Sequence, residues 1–169
     1  MTDVCMDVKK NPEFPELPRF GLRLFLEDGL EKVTYYGMGP TESYRDKCRG
    51  AYHGLFTDLV SNMHEDYIRP QENGSHYDCD YVTVSGEGYG ITAVLAGSFS
   101  FNASVYTQEE LTQKGHNYEL NPSGSTVLCL DYAQNGIGSN SCGPRLLEKY
   151  RLDEEKFRYQ LRLMPYRQA

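Results

Sequence analysis

The sequence contains no tryptophan, no run of basic residues and no apolar stretch near the roughly 20 residues a membrane-spanning helix needs. Lys and Arg number 17 against 24 Asp and Glu, a formal net charge of −7 over 169 residues. An acidic balance without a basic patch points away from nucleic acid and from an anionic membrane as partners. The first ten residues, Met1 to Lys10, lack the basic, apolar, small-residue order of a secretory signal, so a cytoplasmic location is expected. Cysteine is sparse: Cys5, Cys48, Cys79, Cys129 and Cys142 are odd in number, widely spaced and without a C-x-x-C pair. That is neither a disulfide framework nor a zinc pattern, and isolated reduced thiols are expected. The four histidines, His53, His64, His76 and His116, share no metal-ligand spacing, and no G-x-S-x-G elbow occurs.

What the sequence does have is alternation. In Ser98–Val105, Phe99, Phe101, Ala103 and Val105 alternate with Ser98, Ser100, Asn102 and Ser104, the pattern of a strand with one face in a core and one in solvent. Similar runs lie at Val4–Val8, Phe20–Leu26, Lys32–Tyr36, Gly54–Val60, Tyr77–Ser85 and Tyr89–Leu95. Others follow at Thr126–Tyr132, Glu148–Leu152 and Phe157–Met164, with Gly, Pro, Asn and Ser between them. About ten short strands predict an all-β sandwich or barrel. The Val4–Val8 strand begins almost at the terminus, so it needs a partner strand within the chain or in a larger sheet. One short helix is expected after Thr107, where Thr107-Gln-Glu-Glu110 has capping-box spacing and Gly115 suits a left-handed close.

Four segments are denser in unusual residues than a scaffold needs. In Tyr35–Lys47, the Gly-Met-Gly-Pro turn opens no helix and so cannot cradle phosphate. Its Glu42 and Asp46 read as members of an ionic network with Arg45, Lys47 or Arg49. In Tyr67–Gly74, Glu72 is the best isolated candidate for a general acid. A glycosidase needs two carboxyls at a set separation, however, and no partner for Glu72 is evident, so a structural role is expected. His116 and Asn117, after the short helix, read as structural. Gln134–Pro144 is a loop of Gly, Ser and Asn ending in Cys-Gly-Pro, and β-sandwiches carry function on such loops. On composition alone it reads equally well as a plain connection. Cys142 has no histidine near it in sequence to activate it.

Taken in order, these segments resemble the C-terminal domain of the glycoside hydrolase family 2 β-galactosidases. The resemblance runs from about Leu17 to Met164. It rests on Leu17-Pro-Arg-Phe-Gly21, Tyr36-Gly-Met-Gly-Pro-Thr-Glu-Ser-Tyr-Arg-Asp46 and Tyr67-Ile-Arg-Pro-Gln-Glu-Asn-Gly74. It continues through Phe99–Tyr106, His116 and Gly136-Ile-Gly-Ser-Asn-Ser-Cys-Gly-Pro144. The resemblance implies an antiparallel supersandwich of the galactose mutarotase-like type, with residues 1–169 as the later part of that domain. It also implies retaining hydrolysis of terminal β-D-galactosyl groups, as in lactose. The catalytic glutamates would lie in a separate TIM-barrel domain of the same or a companion chain, the implied partner, with magnesium and a monovalent cation near them. No catalytic residue, cofactor or metal is then expected in this chain.

In that family, the loop matching Gly136–Pro144 reaches the sugar and often offers it a tryptophan. Here the matching position is Cys142, and a thiol lacks the flat apolar area that stacks on a pyranose. Ser139, Asn140, Ser141 and Cys142 are the expected substrate-binding residues. The alternatives from other classes are a free-standing carbohydrate-binding sandwich, kept open by the 14 tyrosines, and a small-subunit interaction domain.

Overall fold

The computed structural model describes residues 1–14, 16–135 and 145–167. Among them are ten strands: β1 (Thr2–Lys9), β2 (Arg19–Leu26), β3 (Lys32–Gly39), β4 (Tyr52–Leu59), β5 (Ser75–Cys79), β6 (Tyr81–Ser85), β7 (Tyr89–Leu95), β8 (Phe99–Ser104), β9 (Thr126–Gln134) and β10 (Lys156–Arg167). Among the described residues, a single short α-helix, α1 (Gln108–Gln113), lies between β8 and β9. One sheet has the order β1-β10-β7-β6-β3-β4 and the other β2-β9-β8-β5. The strand pairs are antiparallel throughout. This is the expected all-β sandwich.

The period-two residues make the core. Val33 and Tyr35 on β3, Val82 and Val84 on β6, and Tyr159 and Leu161 on β10 face Phe99 and Phe101 on β8 and Leu128 and Leu130 on β9. Each such side chain, fully withdrawn from water, contributes about 1.5–3 kcal/mol. The two sheets also touch through aromatic rings: Tyr35 and Phe101 lie edge to face with centroids 5.0 Å apart. The Tyr159 hydroxyl donates to the Leu130 carbonyl at 3.0 Å, so this buried phenol is satisfied across the sandwich. The N-terminal strand finds its partner within the chain, since β1 pairs with β10 from Thr2↔Leu163 to Lys9↔Lys156. Asp3–Arg162 and Asp7–Arg158 ion pairs, 2.7 and 2.6 Å, mark that register on the open face.

Five local expectations are corrected. Tyr77–Ser85 is not one strand: the ladder slips between His76 and Cys79, and Asp78 takes a left-handed φ of 55°. The chain turns a corner there, leaving β5 in one sheet and β6 in the other. Glu148–Leu152 is not a strand; Glu148–Tyr150 forms one 3₁₀ turn. In the helix, Thr107 Oγ1 accepts from the Glu110 amide at 3.0 Å as expected, but the Glu110 carboxylate accepts from the Asn121 amide instead of turning back. The helix closes on Lys114 in an extended conformation, not on a left-handed Gly115. Finally, Ser100, Asn102 and Ser104 are buried, not solvent-facing. Segments pack over that side of the four-stranded sheet: Asn102 Nδ2 donates to the Asn73 carbonyl, and Gln108 of α1 donates to Cys129 Sγ at 3.3 Å.

Candidate functional site

The expected sugar-contacting residues Ser139, Asn140, Ser141 and Cys142 lie outside the described residues. Both stems of their loop are described, and both are tied to one strap of chain, Glu16 to Arg19. On the outgoing stem, the Asn135 amide donates to the Pro18 carbonyl at 2.8 Å. On the returning stem, Arg145 pairs with Glu16 at 3.3 Å, and Arg151 donates through Nε to the Leu146 carbonyl at 2.8 Å. The Leu152 amide donates to Asn135 Oδ1 at 3.3 Å and joins the two stems directly. The strap itself is held by a bond from the Leu17 amide to the Leu152 carbonyl, 2.9 Å.

Beneath the outgoing stem sits an ionic group built from three distant segments. Arg19 opens β2 opposite Gln134, so its guanidinium lies at the root of the loop. Its Nε donates to Asp131 Oδ1 at 3.2 Å and its Nη2 to Asp131 Oδ2, while Nη1 meets Glu72 Oε1. Gln134 Nε2 donates to the same Asp131 carboxylate at 2.8 Å. Asp131 is only 2% exposed, and burial pushes its carboxyl above the usual range against the pull of Arg19. For Arg19, burial opposes the charge, but Asp131 outweighs it and raises the pKa. Gly21 is Asp131's cross-strand neighbour, and the fit depends on its having no side chain. A Cβ there would lie 2.3 Å from Asp131 Oδ1 and 2.4 Å from the Leu130 carbonyl. Leu17-Pro-Arg-Phe-Gly21 thus supplies both the cation and the space for its anion.

The two glycine-containing segments converge on a second hub. Glu42, 8% exposed, accepts from Lys47 Nζ, the Tyr67 hydroxyl and, at 2.8 Å, the Gly74 amide. Burial penalises its charge, but these donors outweigh the penalty and hold its pKa below the usual range. Lys47 is the cation that serves Glu42, out of the three expected. Gly74 adopts a φ of 71°, and a Cβ there would lie 2.2 Å from the Met63 carbonyl. Asn73 Oδ1 accepts from the Glu65 amide at 2.9 Å, which folds the turn over β8. These residues hold the cover of the sheet and, through Glu72, reach the root of the loop.

Glu72 and Asp131 both border a cleft of about 390 Å³ with Arg19. Two carboxyls on a cleft are what a glycosidase needs, but Arg19 occupies the space between them where water and the glycosidic oxygen would lie. Cys129, on the same cleft, has its thiol pushed up to about 11 by burial and is not a nucleophile. His116 is exposed and stacks on Tyr118, with centroids 5.0 Å apart. His76 is buried in the core, and burial pushes it down to about 4. Among the described residues, no group of three or more His, Cys, Asp or Glu side chains is placed to hold a metal. Asp131 escaped the sequence reading, although a lone carboxylate in the apolar run Val127–Ala133 is itself a signal of a buried partner.

Residues 2–163 match the family described as beta galactosidase small chain. The chain is 49% identical over 152 residues to a beta-galactosidase of Actinobacillus pleuropneumoniae, covering 90% of this chain and 15% of the relative. It is 42% identical over 161 residues to one of Staphylococcus xylosus, covering 95% and 16%. It is also 33% identical over 150 residues to one of Kluyveromyces lactis, covering 88% and 14%. The chain thus spans about one-seventh of the length of these curated relatives. On this match, the chain belongs to the beta galactosidase small chain family.

Proposed function

We propose that this chain is a non-catalytic accessory domain, the later part of the C-terminal sandwich of a β-galactosidase that hydrolyses terminal β-D-galactosyl groups. It docks on a catalytic barrel in the same or a companion chain and lends the 136–144 loop to the galactoside pocket, where Ser139, Asn140, Ser141 and Cys142 meet the sugar. Magnesium and a monovalent cation, if the parent enzyme uses them, are held by the other domain, and the assembly works in the cytoplasm. The observation that carries this reading is the match over residues 2–163 to proteins roughly six times as long as the chain. The anchored stems support it, because a loop that positions a substrate needs a rigid base. The low-dielectric Arg19–Asp131 pair supplies that rigidity.

The test is complementation. The chain alone should show no turnover of a chromogenic β-galactoside. A parent enzyme truncated before this segment should regain activity when the chain is added. Replacing Ser139–Ser141 with alanines in the chain should then raise KM without preventing assembly. Sustained turnover by the chain alone, lost in Glu72→Gln, would overturn the accessory role. Restored activity with an unchanged KM in the loop variant would overturn the loop's part in it.

A further inference from the structure

The six-stranded sheet ends on β1, which lies last in the strand order and pairs with β10 alone. The Lys10 amide donates to the Glu155 carbonyl at 2.9 Å, which sets the phase of that ladder: the even residues of β1 turn their backbone groups toward β10. The amides and carbonyls of Asp3, Cys5, Asp7 and Lys9 therefore point away from the sheet, a row of unpaired donors and acceptors. The side chains divide by the same parity. Val4, Met6 and Val8 stand opposite Leu161, Tyr159 and Phe157 on the core face, yet each is only half-buried. Asp3, Cys5, Asp7 and Lys9 stand on the open face and are exposed.

One position on this edge is electrostatically unfinished. Asp3 and Asp7 have arginines across the ladder, Arg162 and Arg158, but Lys9 stands directly opposite Lys156. Like charges in cross-strand positions repel, and neither lysine has an ion-pair partner among the described residues. An anion laid beside Lys9 along the outer edge would relieve them. The strand's own sequence, Thr2-Asp-Val-Cys-Met-Asp-Val-Lys9, supplies that anion when a second copy runs in the opposite direction. With Met6 set against the partner's Met6, Lys9 falls opposite the partner's Asp3, Val4 opposite the partner's Val8, and Cys5 opposite the partner's Asp7. Apolar side chains then meet apolar ones, and the two core faces stay on the same side. Moving the centre to Cys5 sets Asp3 against the partner's Asp7, and moving it to Asp7 sets two Asp7 carboxylates together, so charge selects one register. β4, at the other end of the sheet, has no such code. Its outward positions, by the same parity from the Val60 to Glu31 bond, are His53, Leu55, Thr57 and Leu59, with no carboxylate among them.

We infer that the open edge of β1 docks a second copy of this chain, antiparallel and two-fold symmetric, with Met6 on the axis. The two six-stranded sheets join into one through about eight ladder hydrogen bonds, two for each outward-facing pair. Val4, Met6 and Val8 are covered, and each Lys9 gains the partner's Asp3. The contact is short for a stable interface, so a Kd on the order of 10 µM is expected. This association belongs to the chain itself and needs neither the 136–144 loop nor a catalytic partner.

The experiment is sedimentation velocity of the full chain, reduced, from about 1 to 200 µM, which spans that Kd on both sides. A monomer–dimer equilibrium is expected. Cys5→Pro removes one outward amide while leaving the ladder to β10 intact, and it should abolish the dimer. Lys9→Glu should weaken the dimer at least tenfold, because the glutamate meets the partner's Asp3. The same glutamate faces Lys156, so the urea midpoint of the monomer should not fall. A merely structural role for Lys9 would move both readouts together. The register is read by oxidation: Met6→Cys in a Cys5→Ser background should form a covalent dimer. Self-opposed residues in a pair without ladder bonds have Cα atoms about 4.5 Å apart, within disulfide reach. If Cys5→Pro loses its dispersed spectrum, Lys9→Glu decides the matter. A monomer throughout the concentration range would overturn the inference. So would a dimer that survives both variants, or ready oxidation through wild-type Cys5, which marks the Asp3–Asp7 register. Amide protection along β1 that arises only on adding the truncated parent enzyme would give the edge to that enzyme and overturn it too. The accessory role has its own readout in complementation, so either reading can fail alone.

Discussion

Acidification should destabilise the sandwich through His76, and the size of the effect follows from its surroundings. The imidazole is 2% exposed, stacked 5.2 Å from Phe101 and 4.5 Å from Tyr35. Its Nδ1 lies 3.2 Å from the Met38 carbonyl, which can only accept, so Nδ1 carries the proton of the neutral ring. Burial pushes the pKa down from 6.5 to about 4, against the Met38 bond and the charges of Glu42 and Asp58. The unfolded chain takes up a proton near pH 6.5, while the folded chain resists until about pH 4. Between these values the unfolded state binds more protons, so stability is complete above pH 6.5, falls as pH drops through the window, and levels off below it. The full span is worth about 3 kcal/mol. Urea unfolding of wild type and His76→Phe, at several pH values between about 7.5 and 4.5, isolates this residue from the carboxylates. Phenylalanine keeps the ring stack but strands the Met38 carbonyl, so the variant should start about 1 kcal/mol less stable at neutral pH. It should then lose less on acidification, and the two curves should cross near pH 6. Parallel curves would show that His76 binds its proton equally in the folded and unfolded chain, and would refute the reasoning.

Two substitutions test the base of the loop. Gly21→Ala should cost about 3 kcal/mol in urea unfolding, because the new methyl meets the Leu130 carbonyl and the Asp131 carboxylate at once; an unchanged midpoint would mean that β9 moves aside freely. Asp131→Asn leaves the Arg19 charge with one partner and should cost about 2–3 kcal/mol. Glu72→Gln, at a site 22% exposed, should cost no more than about 1 kcal/mol. Equal costs for these two variants would contradict the assignment of Asp131 as the buried anchor.

The strands were legible because alternation is a local property. Phe99, Phe101 and Ala103 had to share a face whatever lay opposite, and β1, β2, β7 and β10 fall where the same pattern places them. Three things were hidden, each because its cause is not local. The break at Asp78 depends on one left-handed residue that no hydropathy pattern marks. The Arg19–Glu72–Asp131 group joins positions 53 and 112 residues apart, so its charges look unrelated in the chain, and only Gly21 and Gly74 hint at close approaches. The polar face of β8 is the most instructive case. Ser100, Asn102 and Ser104 carry the residues of a wet surface, yet they are buried. Alternation says that two sets of side chains point to opposite faces; it does not say that the second face is in water. A sheet covered on its polar side must satisfy each group there, and Asn102 does so through the Asn73 carbonyl. Ser104 does so through its hydroxyl, which accepts from the Tyr106 amide at 3.0 Å, so the polar residues of β8 tie the sheet to the chain that covers it.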